Sequence, residues 1–545
     1  MTRIWSLLYE AGLQNLKDNM GKIQETTISR FDGGVVNDPR DPRESVAQVV
    51  SNFDILTDPY RMKPYRDSES GHDNASTETI RNFCMARRTG TTYSLYGLGI
   101  TPGGGIAEVY YKDITTGGSN DLGDNGWTET ANNAAASGAT NFNLFVFYRY
   151  TTVANSRIFG ASGGTRIWSY DPTGTVAFDD AGRNITYTNI AQGVVHPKDD
   201  ILYIPYDNKI AKNSNGSWTD TALTLPESHY ITSISPFGNY LAIAMAPLSA
   251  VGDSLVYLWD RDATLATLSD VINWGSETLQ IIEEIDGLLI GISYAGNNTI
   301  RNNQRVVFRY LNGSNASKFR EYTAGSGTIV LPIAKRKENN RLYFLMQLSI
   351  NGSTREGVWS IGRTRDEWTV THERTPNNDT ALAGSNTLYD FFLVGDYMFI
   401  TYLTSGSVGM SKTNDQSSFT ATSIYESKIF NDGDASLKKK LIGATVMFEA
   451  LPAAGSVVLK YKKDEETSYT TIFTDTTDND ISHSAVNIES SGASLPEYKE
   501  ISFRIESTGG AVITGLSWMS NNVGKRTYAA LWEMVLRWGA SLISK

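Results

Sequence analysis

Chemistry in a protein of this kind would have to come from few groups, because the chain holds one cysteine, Cys84, and five histidines, His72, His196, His229, His372 and His483. A nucleophile needs a Gly-x-Ser-x-Gly turn or a cysteine in an activating setting. No such turn occurs, and Cys84 lies in the strand-like run Asn82-Phe-Cys-Met-Ala86, where it reads as a core residue. The histidines show no HxH or HxxxH spacing that would set two imidazoles on one zinc ion. Pro102-Gly-Gly-Gly105 lacks the Lys-Ser/Thr that would hold phosphates and reads as a hairpin tip.

Carboxylates are abundant but nominate no pair. Glycoside hydrolysis needs two of them about 5–5.5 Å apart for retention or about 6.5–9.5 Å for inversion. Asp179-Asp180, Asp199-Asp200 and Glu283-Glu284 read as solvated turns, and Asp475, Asp478 and Asp480 could offer oxygens to calcium without the spacing or glycine of a known loop. Thr413-Asn-Asp-Gln-Ser-Ser-Phe419 resembles the Asp-box of sialidases, but it is one residue short and occurs once. The expectation is therefore a chain that is not an enzyme, with no catalytic, cofactor-binding or metal-binding residues and no cofactor.

The elements that carry these residues repeat. A strand with a central bulky residue, closed by an Asp, Asn or Gly turn, recurs around Tyr110, Trp168, Ile210, Tyr257, Phe308, Trp359 and Met410. The intervals are 58, 42, 47, 51, 51 and 51 residues. Ahead of most of these second strands lies an apolar strand: Leu144–Tyr148, Leu202–Tyr206, Tyr240–Ala244, Leu288–Ile292, Leu342–Met346 and Tyr397–Thr401. A third strand often opens on an aromatic, as at Trp127, Trp218 and Trp368, each followed by Thr, and more loosely at Phe178, Phe319 and Phe419. Units of this size with three or four antiparallel strands are those of propeller blades, so the spacing predicts an all-β, seven-bladed β-propeller over residues 76–425. Two stacked sandwiches are the competing arrangement.

Residues 1–75 do not share this grammar. They carry a short amphipathic helix around Ile4–Leu16 and then Asp38-Pro-Arg-Asp-Pro-Arg43, and Pro39, Pro42, Pro59 and Pro64 suit an extended N-terminal arm. Phe31, Phe53, Ile55, Tyr60 and Tyr65 would be wasted on solvent, so the arm is expected to be ordered by neighbouring subunits, with disorder as the alternative. After an exposed connection at Asn431-Asp-Gly-Asp434, residues 426–525 predict a β-sandwich, and residues 526–545 an amphipathic C-terminal helix whose apolar stripe includes Trp532 and Leu536. The 545 residues carry 40% hydrophobic and 20% charged side chains and a formal charge of −11, an ordinary globular balance that disfavours a dedicated duplex-binding surface. No run of apolar residues is long enough to span a membrane, and the N-terminus lacks the features of a secretory signal.

Three stretches of the arm carry a family resemblance: Phe31-Asp-Gly-Gly-Val-Val-Asn37, Val50-Ser-Asn-Phe-Asp-Ile55 and Met62-Lys-Pro-Tyr-Arg66. Over roughly residues 28–66 the chain resembles the opening of β-propeller tail proteins of tailed bacteriophages, of the tail nozzle or hub type. Where such proteins commonly show Arg-Pro-Gly, this chain has Lys63-Pro-Tyr-Arg66. The resemblance implies a non-enzymatic virion structural protein, made in the host cytoplasm, that forms a homo-oligomeric ring around the DNA exit channel of the viral tail and serves virus assembly and DNA ejection. Its partners would be further copies of itself, adaptor or portal-proximal proteins and tail fibre proteins, with no sequence-specific nucleic acid binding. The contact residues it implies are Phe31, Gly33, Gly34, Asn37, Phe53, Asp54 and Ile55, to which the C-terminal stripe adds Trp532 and Leu536. A receptor- or glycan-binding propeller of the tail tip and a glycan-cleaving propeller enzyme are the alternatives.

Overall fold

A computed structural model describes residues 24–522, apart from 44, 71–78, 90–91, 101–106, 114–126, 130–143, 150–155, 163–165, 174–178, 250–251, 263–267, 297–303, 324–329, 351–352, 365–366, 377–385, 396, 405–406, 414–418, 420–421, 434–435 and 487–495. Among the described residues every regular element longer than a turn is a β-strand, in keeping with the β-branched and aromatic runs. The chain divides into two compact units, Arg66–Ser418 and the combination of Met1–Tyr65 with Phe419–Lys545.

In Arg66–Ser418, seven four-stranded antiparallel sheets follow one another, a propeller-like all-β arrangement. Sheet 1 pairs Thr79–Thr89, Thr92–Ile100, Ala107–Asp113 and Thr128–Glu129 in chain order, and sheet 2 pairs Phe145–Tyr148, Arg157–Ser162, Arg166–Tyr170 and Asp179–Asn184. Sheet 3 holds Val194–His196, Ile201–Tyr206, Lys209–Ser214 and Ser217–Thr224; sheet 4 holds His229–Phe237, Tyr240–Pro247, Ser254–Trp259 and Leu268–Gly275. Sheet 5 holds Thr278–Ile285, Leu288–Ala295, Arg305–Asn312 and Asn315–Thr323; sheet 6 holds Val330–Glu338, Arg341–Ile350, Ser353–Thr364 and Glu367–Arg374. Sheet 7 has three strands in chain order, Asn386–Val394, Tyr397–Thr404 and Ser407–Thr413. Its fourth place is taken by Ser68–Ser70, with Ser411 opposite Ser70 and Thr413 opposite Ser68.

The repeat read from the sequence lands on one structural position. Tyr110, Trp168, Ile210, Tyr257, Phe308, Trp359 and Met410 each lie on the third strand of their sheet, and all are at most 5% exposed. They are third and not second strands because a first strand precedes each pair, and Leu144–Tyr148 covers such a first strand, with Arg157–Ser162 between it and Trp168. Phe419 opens no fourth strand: it belongs to the other unit, since sheet 7 is completed from the opposite end of the chain. Phe178 lies outside the described residues. Beside Trp168, Gly160 leaves the room the indole needs, because a Cβ there would stand 1.9 Å from the ring.

In the other unit one sheet runs Gln24–Ile28, Ile513–Asn522, Lys439–Phe448 and Ser482–Val486, with Glu497–Tyr498 also on Lys439–Phe448. The second runs Ala47–Ser51, Ser423–Ser427, Ile501–Thr508, Ser456–Lys463 and Thr470–Asp475. Trp518 of the first packs on Phe503 of the second at 4.8 Å between ring centroids, and Val446, Leu459, Ile505 and Leu516 are fully buried. Both sheets draw most of their strands from the segment expected as a β-sandwich, but each also takes a strand from the N-terminal segment, Gln24–Ile28 in one and Ala47–Ser51 in the other.

Candidate functional site

That recruitment decides the fate of the residues nominated as partner contacts. Phe31 is fully buried edge-on to Tyr425 at 5.3 Å, and its amide donates to the Pro59 carbonyl at 2.9 Å. Gly33 is packed so closely that a Cβ would stand 2.6 Å from the backbone of Ser45, and the carbonyl of Gly34 accepts from Ala47 at 2.9 Å. Phe53 and Ile55 are fully buried, and Asp54 accepts the amides of Leu56 and Thr57 at 3.0 Å each. Asn37 is exposed.

Residues 24–65 are therefore not an arm ordered by neighbours, and Phe31, Phe53 and Ile55 are not available to another chain. Pro39, Pro42 and Pro59 sit in loops between strands, and Pro64 ends the two-residue strand Lys63–Pro64 opposite Phe53. The Pro39 carbonyl accepts from Ile429 at 2.7 Å, Lys428 Nζ donates to the Asp41 and Pro42 carbonyls at 3.2 and 3.1 Å, and Arg40 grips Glu500 at 2.8 and 2.7 Å. The helices expected at Ile4–Leu16 and 526–545, and with them Trp532 and Leu536, lie outside the described residues.

In the seven-sheet unit the densest polar constellation runs along the first strands. These carry a β-bulge at an equivalent place in five sheets: between Ile80 and Asn82, Ile231 and Ser233, Leu279 and Ile281, Ile333 and Lys335, and Leu388 and Asp390. A bulge re-aims the side chains that follow it. Here three of those side chains reach into another sheet. Ser233 Oγ accepts the Ile282 amide at 3.2 Å, Lys335 Nζ donates to the Ile234 and Ile282 carbonyls at 2.7 Å each, and Asp390 Oδ2 accepts the Phe83 amide at 2.8 Å. Charges are matched on the same strands: Lys335 with Glu283 at 2.8 Å, Lys337 with Glu284 at 2.5 Å, and Arg336 with Asp390 at 2.8 Å. Arg336 also donates to the Phe83 carbonyl at 3.1 Å. Burial holds the Asp390 carboxyl above its ordinary range, against the opposing pull of Arg336 and two amides. Glu283-Glu284 is thus no solvated turn but part of a first strand.

The Trp-Thr signature has a packing role that is the same in three sheets. Trp218 meets Phe159 of sheet 2 at 5.5 Å and Trp368 meets Phe319 of sheet 5 at 5.9 Å, each covering the preceding sheet, and Trp127 meets Phe399 of sheet 7 at 6.3 Å.

Cys84 is buried, and burial raises its thiol pKa well above the ordinary value. Burial pushes the Asp475 carboxyl up, but bonds to Thr477 and then His483 outweigh it and hold the carboxyl below its usual range; its Oδ2 stands 3.0 Å from His483 Nδ1. Among the described residues no group of three or more His, Cys, Asp or Glu side chains could hold a metal ion, and no helix is long and apolar enough to cross a membrane.

Apart from Leu144–Tyr148 and the run Asn82–Ala86, sequence reasoning missed the first strands, and it missed their polar clamp. The available signal was an apolar residue followed two positions later by Asn82, Ser233, Lys335 or Asp390, at multiples of the blade interval.

No family model matches the chain, and no curated protein does. Among solved structures it is similar to a chain of "COPII on membranes, outer coat vertex", with 11% identity over 62% of this chain and 100% of that one and a TM-score of 0.33.

Proposed function

We propose that the chain is a non-enzymatic structural protein of a tailed-phage virion, a nozzle or hub component of the tail, and that Arg66–Ser418 is a closed seven-bladed β-propeller. The observation that carries the functional reading is that the stretches resembling tail proteins are built into the fold: Phe31, Phe53 and Ile55 are fully buried, Gly33 has no room for a Cβ, and Asn52 holds a left-handed φ of 60°. A chance match in a loop would have no such constraint. Closure is supported by the fourth strand that Ser68–Ser70 lends to sheet 7, and by Phe83, which bonds Asp390 of sheet 7 and Arg336 of sheet 6. Lys335 also ties sheet 6 to carbonyls of sheets 4 and 5.

Light scattering on the purified chain, alone and with a candidate tail adaptor, tests the role. A discrete ring or a stoichiometric complex with the adaptor is expected. A chain that stays monomeric under both conditions and is missing from purified particles would overturn the reading, as would turnover of a glycan substrate.

A further inference from the structure

Outside the clamp on the first strands, one titratable group is surrounded on all sides by partners that dictate its protonation. His196 ends the first strand of sheet 3 and is fully buried. Its Nδ1 lies 2.9 Å from Arg261 Nη1 and 3.2 Å from the Lys198 amide. Both neighbours are donors and a guanidinium cannot accept, so Nδ1 must carry the lone pair. Nε2 lies 3.1 Å from the Tyr240 carbonyl, which can only accept, so Nε2 must carry the hydrogen. The neutral tautomer is thereby fixed.

We propose that His196 and Arg261 form an acid-released clasp between sheets 3 and 4. Arg261 follows the third strand of sheet 4, and Tyr240 and Asn239 belong to that sheet's first turn, so every bond around the imidazole except that from Lys198 crosses from one sheet to the other. Arg261 also bonds Asp199, which accepts from Tyr203 at 2.9 Å, and donates to the Asn239 carbonyl at 2.9 Å. These contacts hold Arg261 at a left-handed φ of 71°, a conformation that costs a non-glycine residue free energy.

A proton on Nδ1 turns an acceptor into a donor facing two donors, and sets a second positive charge 2.9 Å from the guanidinium. The charged groups around the ring are Arg261 and Lys198, which oppose the proton, and Asp199, whose Oδ1 is 4.0 Å from Nδ1 and favours it; the Asp200 amide bonds the His196 carbonyl and does not touch the ring. Burial first, and Arg261 second, hold the imidazole pKa below its ordinary value, so the clasp stays shut near neutrality. As pH falls through that lowered value Arg261 is expelled, the backbone at 260–262 relaxes, and the rim between the two sheets opens.

Hydrogen exchange read by mass spectrometry at about pH 7.5 and at about one pH unit below the His196 midpoint, corrected for intrinsic rates, tests this, with exchange at each imidazole C2 giving that midpoint. Peptides covering 238–240 and 259–262 should gain about tenfold in exchange on acidification relative to those from Leu288–Ala295, and His196 should titrate below its ordinary value. His196→Asn keeps an acceptor for Arg261 but cannot titrate, and should abolish the gain. An equal gain in that variant, or titration of His196 without any gain, overturns the proposal. Should that variant fail to fold, Arg261→Met decides: the rim should exchange fast already at neutral pH and the His196 midpoint should rise, and failure of either overturns it.

Discussion

At the scale of single residues, burial sets the chemistry and the consequences can be measured. His372 is fully buried, edge-on to Trp359 at 5.1 Å with Nε2 3.2 Å from the Glu356 carbonyl. Burial, then Arg355, pushes its pKa down to about 3. The unfolded chain takes up this proton near pH 6.5 and the folded chain does not, so the contribution is complete above pH 6.5 and is lost as pH falls toward 3, at about 1.4 kcal/mol per unit. Denaturant titrations at several pH values should show this slope, and His372→Asn should remove it. Gly160→Ala is expected to cost about 1–3 kcal/mol in the same assay, because a methyl would meet the Trp168 ring and that indole, fully buried, has nowhere to withdraw. Cys84 was legible as a core residue from its apolar run, whereas nothing in the sequence could show that His196 and Arg261, 65 positions apart, would touch.

At the scale of elements, third strands were legible and most first strands were not, for one physical reason. A third strand keeps a bulky residue at its centre on a regular ladder, while a first strand is interrupted by a bulge that shifts its alternation and places ions where a core strand should be apolar. The polar clamp makes a sharp demand. Arg336→Met leaves Asp390 buried without its cation and should cost about 3–5 kcal/mol, and adding Asp390→Asn should recover part of that loss, a coupling that a double-mutant cycle would read. The strand Ser68–Ser70 makes another. On an edge strand alternate amides point into the ladder, so of Glu69→Pro and Ser70→Pro one must lose a hydrogen bond to Ser407–Thr413 and lower the melting temperature while the other is tolerated. Equal tolerance of both would argue against completion of sheet 7 by this strand.

At the scale of the whole chain, the seven-sheet unit is inserted between two halves of the other, and this the sequence did not disclose. Pattern reading assigns a segment to its neighbours, and Ala47–Ser51, a short mix of apolar and polar residues, gives no sign that its partner is Ser423–Ser427. Residues 66–418 expressed alone are expected to melt cooperatively. Residues 419–545 alone should not, since each sheet would lack the strand that Gln24–Ile28 or Ala47–Ser51 provides, and residues 1–65 supplied in trans should restore the transition in circular dichroism. The same discontinuity sets a timetable for biosynthesis. Gln24 pairs with Ser520, about 500 residues later, and at about 5–20 residues per second the ribosome needs roughly 25–100 s to deliver the second strand after the first. For most of that interval Phe31 has emerged without Tyr425, on which it packs, and Ala47–Ser51 without Ser423–Ser427, so the nascent chain presents a sticky leading segment to chaperones while the seven sheets behind it are already free to form.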